Sequence, residues 1–181
     1  MSMAFIAIAF TACNNNPAVE KKNADSTPAA TTAAAVPGSS VKDIVAHYLH
    51  IKNALAKDDA KDAAAGGKAL AEVIGKFDQS TLSPEQKKTY SGIEADAKEH
   101  AEHISVNAEK IAHQREHFES LSKDVYDLVK SLGGGQTLYQ DFCPMYNNNK
   151  GATWLSETKD IKNPYLGTAM PTCGSVKETI Q

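Results

Sequence analysis

Sulfur is scarce in this chain, and most of it is gathered near the C-terminus. Cys143-Pro144-Met145 opens one stretch and Met170-Pro171-Thr172-Cys173 closes it, while the remaining cysteine, Cys13, and the other methionines lie in the N-terminal leader. A thiolate beside a thioether selects soft ions, above all Cu(I), whereas hard cations want carboxylate oxygen. Zinc suits the set less, because structural zinc sites use Cys and His and rarely Met. In an extended segment, residues i and i+2 share a face, so Cys143 and Met145 would form one local half of a site. A proline beside each methionine fixes the local backbone and lowers the cost of ordering it. The expected soft-metal ligands are therefore Cys143, Met145, Met170 and Cys173. The same two cysteines admit a second chemistry, since an even pair in an oxidising compartment can close as a disulfide. Closing a loop of that length would stabilise the fold by roughly 3.5 kcal/mol in the chain-entropy picture. Both readings stay open, and the methionines, which a disulfide does not need, favour the metal.

Imidazoles form the second group of chemically capable residues. The six histidines fall into the pairs His47/His50, His100/His103 and His113/His117, whose spacings of three or four place each pair on one helix face. His117, next to Phe118 near the middle of the last helical pattern, is the expected additional ligand. Arg115, close to the apolar stripe of the same helix, is expected to tie the C-terminal segment to the helices. A thiol-redox enzyme would need an activated thiolate, with His117 as the one arguable helper. The chain has no Gly-x-Ser-x-Gly, phosphate loop, dinucleotide fingerprint or His-Glu-x-x-His, so the expectation is a binding protein without catalytic function. Its net charge of −3 argues against a nucleic-acid partner, which requires a concentrated basic face.

Four amphipathic patterns must position these residues. Ser40-Val41-Lys42-Asp43 reads as a capping box, and Val41, Ile44, Val45, Tyr48, Ile51 and Leu55 follow helical spacing to about Lys57. A second helix spans about Asp59 to Phe77, with Gly66-Gly67 suited to close helix approach. Ser83-Pro84-Glu85-Gln86 opens a third, and a fourth runs from about Asn107 to the Gly133-Gly134-Gly135 terminator. The fold class expected is mainly α: an antiparallel four-helix bundle. It carries a small C-terminal β-hairpin and loop cap, with strands at Thr137 to Tyr146 and Ala152 to Ser156 around an Asn/Gly-rich turn. Trp154 and Tyr165 are expected to pack this cap onto the bundle.

The N-terminus points outside the cytosol. Met1 to Cys13, MSMAFIAIAFTAC, is an apolar run ending in small residues and a cysteine, too short for a membrane span. Its ending resembles a bacterial lipobox, with Cys13 as the lipidated first residue of the mature protein. Residues 14–39 are rich in Ala, Thr, Pro and Ser and poor in large apolar side chains, the composition of a disordered tether. The expected organisation is a lipoprotein signal over 1–13, a tether over 14–39 and a helical domain over 40–181. That places the protein in the periplasm, membrane-anchored through lipid alone.

A family resemblance rests on Gln114-Arg115, Phe118, Leu121-Ser122, Tyr139, Cys143-Pro144-Met145, Gly151-Ala152, Trp154-Leu155-Ser156, Asn163-Pro164-Tyr165, Gly167, Met170 and Cys173-Gly174. In these residues the chain resembles the domain of unknown function 3347 family, found in Bacteroidetes lipoproteins and fused to CusB-like heavy-metal efflux adaptors. The resemblance implies a periplasmic helical domain in a copper or heavy-metal setting. Its partner would be a heavy-metal efflux system. The adaptor domains of the fused forms are absent from this sequence.

Overall fold

The computed structural model describes residues 40–181; the lipobox, Cys13 and the tether lie outside the described residues. Four long helices follow one another: α1 (Val41–Ala56), α2 (Ala60–Ile74), α3 (Pro84–Val106) and α4 (Ile111–Leu132). Their starts are chemically specified. Ser40 and Asp43 form a capping box at α1, and Ser83 and Gln86 form another at α3 behind Pro84. At α2 the Asp59 carboxylate accepts the Asp62 N–H at 2.9 Å. Each helix packs against the next, and α1 closes the bundle against α4. The buried stripes carry Ile44, Tyr48, Ile51, Leu55, Leu70, Ile104, Phe118 and Leu121.

Gly66 and Gly67 let α2 approach both neighbours. A Cβ on Gly67 would stand 2.7 Å from the Ala101 carbonyl oxygen, and one on Gly66 would stand 2.9 Å from Ile51. Loss of helix propensity at these positions, about 1 kcal/mol each, is thus offset by packing that larger residues would prevent. No helix among the described residues is long and apolar enough to cross a membrane.

The C-terminal part is an antiparallel sheet of β1 (Leu138–Cys143), β2 (Ala152–Ser156) and β3 (Ser175–Ile180), in the order β2-β1-β3. The hairpin registers Cys143 with Ala152 and Tyr139 with Ser156. Its first strand ends earlier than the sequence suggests. Asn147, Asn148 and Asn149 all take positive φ, at 52°, 54° and 63°, a left-handed run that Asn tolerates better than most residues. The third strand is an addition to the expected hairpin. β3 is an edge strand with mostly exposed side chains and one buried end, Ile180, so it lacks the clear alternation of a half-buried strand.

The sheet is bolted to the helices through a polar core. Tyr48 on α1 accepts the Leu155 N–H of β2 at 2.9 Å and pairs with Ser122 of α4 at 2.8 Å. Tyr165 donates to the Thr153 carbonyl at 2.6 Å, with Phe118 and Trp154 ring centroids at 5.7 and 5.8 Å. Arg115 binds the Pro164 carbonyl at 2.7 Å, the Leu55 carbonyl at 2.9 Å and the Asp58 carboxylate at 2.5 Å. It therefore joins α4, the α1–α2 connection and the loop that carries the second cysteine. Hydrogen bonds from Thr168 and Arg115 hold the Asp58 carboxyl down at about 2.

Candidate metal centre

β1 ends on Cys143, and the loop returning to β3 carries Cys173. Their Sγ atoms stand 3.3 Å apart. Asn163 shapes that loop: its side-chain amide donates to the Cys173 carbonyl at 2.7 Å, and its backbone N–H donates to the Pro171 carbonyl at 2.9 Å. Its side-chain Oδ1 accepts the Tyr165 and Leu166 N–H groups at 2.8 and 2.9 Å. Cys143 is buried and Cys173 half-buried. The hydrogen bond with Cys143, followed by burial, holds the Cys173 thiol above its ordinary range, the reverse of the depressed value that marks a reactive thiolate. Met145 and Met170 lie on the surface, 50% and 39% exposed. The fold thus brings the thiols together and leaves the thioethers facing solvent.

His117 belongs to a different group. Its Nδ1 stands 3.1 Å from Nδ1 of His100, and its Nε2 stands 3.2 Å from Nε2 of His113. Its ring stacks on that of His103 at 4.2 Å between centroids. Both of its ring nitrogens therefore face other imidazoles, with no nitrogen left for the sulfur pair. One nitrogen from each of His103, His113 and His117 falls within 4.8 Å of the others. His100 and His103 come from α3, and His113 and His117 from α4. Burial, reinforced by the neighbouring imidazoles, pushes His117 below its usual value, and burial also lowers His100. Both shifts favour the uncharged imidazole, the form that binds metals.

The sequence shows the two pairs as pairs, and the fold adds their meeting. The signal was available: the pairs flank a short α3–α4 connection, so closing that helical hairpin lays one pair over the other. Buried Gln114 fixes the hairpin by donating to the Ile104 carbonyl at 3.0 Å and to the Ala60 carbonyl at 2.9 Å. In the third pair, His50 Nε2 is placed 2.8 Å from Asp62 on α2.

The family described as protein of unknown function DUF3347 matches residues 44–137. The chain belongs to that family. The DUF3347 match takes in α1 from Ile44 onward, all of α2, α3 and α4 and the whole histidine cluster, and it stops just before β1. The sulfur residues thus lie beyond the matched stretch. No curated protein and no solved structure matches this DUF3347 chain.

Proposed function

We propose that this DUF3347 protein binds a transition-metal ion through the imidazoles of His103, His113 and His117. The observation that carries the reading is their convergence within 4.8 Å from two helices of a packed bundle. Imidazole suits zinc, copper, iron and nickel, whereas magnesium and calcium take oxygen. The direct test is competition of the full chain against a chromophoric chelator. One equivalent of ion should bind, and replacing His113 and His117 together by Ala should weaken binding at least about a hundredfold, given that the one imidazole left cannot chelate. Equal binding by parent and variant would remove the histidines from the account.

A second reading concerns the sulfur set, with Cu(I) or a similar soft ion as cargo. The 3.3 Å approach of Cys143 and Cys173 supports it, with Met145 and Met170 as thioether donors that persist where thiols oxidise. The same approach supports its rival, a partner-binding or structural domain locked by a Cys143–Cys173 disulfide. Thiol titration of protein purified without reductant separates them: reactive or metal-masked thiols under the first, none under the second.

The cellular role that fits either donor set is a buffer or handover protein serving heavy-metal efflux, with no catalytic step and no nucleic-acid partner. In this proposal the chain is a periplasmic lipoprotein held at the membrane by a lipid on Cys13, and residues 14–39 form its tether. Several acyl chains at one site give stable anchoring where one is marginal. Cys13→Ser should move the protein to the soluble periplasmic fraction, and unchanged fractionation would remove the anchor.

A further inference from the structure

Resting on the metal-binding reading above, we infer that the histidine cluster is a three-imidazole site for a tetrahedral divalent ion of the zinc type. Glu116 and His100 act as its positioning residues, and its fourth coordination position is left to an exchangeable ligand. Two nitrogens bound to zinc at its usual bond length, at the tetrahedral angle, stand about 3.3–3.4 Å apart. At a square-planar corner with similar bonds they would stand about 2.8–2.9 Å apart. Nε2 of His113 and Nε2 of His117 are 3.2 Å apart, close to the tetrahedral edge.

The partners of each ring decide which nitrogen it offers. His113 has its Nδ1 held at 3.0 Å by the Glu116 carboxylate, so its Nδ1 carries the proton and its Nε2 presents a lone pair. A ligating histidine whose other nitrogen donates to a carboxylate is the arrangement that fixes ring orientation and raises ligand basicity. His117 has its Nδ1 at 3.1 Å from Nδ1 of His100. The metal-free network then runs one way, from His100 Nδ1–H to His117 Nδ1, from His117 Nε2–H to His113 Nε2, and from His113 Nδ1–H to Glu116. An ion taken between the two Nε2 atoms displaces the His117 Nε2 proton. That proton is balanced inside the network: His117 becomes the Nδ1–H tautomer and donates to His100 Nδ1, whose own proton moves to its Nε2. No charge has to leave the site, and His100 becomes the acceptor behind His117.

His100 approaches His117 from its Nδ1 side, and the convergent group contains three residues, His103, His113 and His117, all half-buried. Structural zinc sites close with four protein ligands, whereas sites with three keep a position for water or an incoming group. A half-exposed site with one open position suits an ion that is taken up and passed on.

The test uses Co(II) as a spectroscopic stand-in for Zn(II) on the full chain. Tetrahedral coordination should give intense visible d–d bands, which Zn(II) abolishes by displacing Co(II) at one equivalent. Glu116 is exposed, 68% at its side chain, so Glu116→Ala should leave the helical signal and melting of the metal-free protein unchanged. It should weaken Co(II) and Zn(II) binding about tenfold, the low end of the outer-shell range, with Glu116→Gln weakened less because its amide oxygen still accepts. His100→Phe should shift the band shape as well as the affinity. Weak octahedral-type bands, or full affinity and an unaltered spectrum in both Glu116→Ala and His100→Phe, would overturn the inference while leaving metal binding intact. Failure of Co(II), Zn(II) and copper alike to bind the parent would instead overturn the metal-binding reading itself.

Discussion

The histidine cluster and the thiol pair are built by opposite strategies. The imidazoles come from two helices joined by a short connection, so closing one local hairpin assembles the group. The thiols are thirty positions apart and meet only when β1, the Asn163-shaped loop and β3 are all in place. Their surroundings differ as well. The cluster is half-buried, hydrogen-bonded ring to ring and open to solvent, while Cys143 is fully enclosed and Cys173 is covered only in part. A local group survives loosening of the rest of the fold, and an assembled one reports on it. The histidine group thus depends on one helical hairpin, and the thiol pair on the whole sheet half.

The strongest way to break this contrast is to loosen the sheet alone. Trp154 is buried against Tyr165, and Trp154→Ala should cost about 3–5 kcal/mol, the usual range for an aromatic cavity. Denaturant unfolding should show the sheet loosening first, with thiols exposed while helical signal and metal affinity at the histidines persist. A single transition that takes cysteine exposure and helix together would mean the two halves are one cooperative unit.

Acidity gives the next largest effect. Asp141 is fully buried on β1 with neither carboxylate oxygen hydrogen-bonded. Burial pushes its pKa up to about 7, with Lys52 pulling down and Glu157 pushing up. A carboxyl whose folded value lies above its unfolded value binds its proton more tightly when folded, so its contribution to stability falls as pH rises from about 4 to about 7. Between pH 5 and pH 8 the loss should be on the order of 2–3 kcal/mol, read as a lower denaturant midpoint at the higher pH. Asp141→Asn should flatten that slope, and an equal slope in the variant would acquit Asp141. Lys52 on α1 donates to Glu157 at 2.7 Å, so this polar layer belongs to the sheet half of the comparison.

The smallest effect sharpens the sulfur side. Met145→Leu with Met170→Leu should weaken Cu(I) binding to reduced protein about tenfold, a change of about 1.4 kcal/mol, and should leave zinc affinity alone. An unchanged Cu(I) affinity would leave the thioethers as surface residues and favour the disulfide-locked reading.

Much of the fold was legible because local signals agreed with it. Ser40 and Ser83 announced their helices, Gly66-Gly67 announced a tight crossing, and Trp154 with Tyr165 announced the seam between sheet and bundle. β3 was illegible for a physical reason: an edge strand that buries little more than Ile180 carries almost no hydrophobic pattern. At the site, sequence placed chemistry by residue type and missed how the fold groups it. Cys143 and Cys173 do converge. His117, singled out by its place beside Phe118, meets His113, His103 and His100, because a side chain one position from the core stripe points along the seam with α3 and away from the sheet. Spacing within one helix shows which residues share a face, and the partner of that face is set by the hairpin.

A zinc titration of the reduced full chain, followed through the side-chain nitrogen resonances of its histidines, decides between the two donor sets. The account predicts that His103, His113 and His117 shift together and saturate at one equivalent, with His50 unmoved beside Asp62 and the cysteine Cβ resonances unchanged. Cysteine Cβ shifts with the imidazoles unmoved would place the ion on the sulfur pair and contradict it.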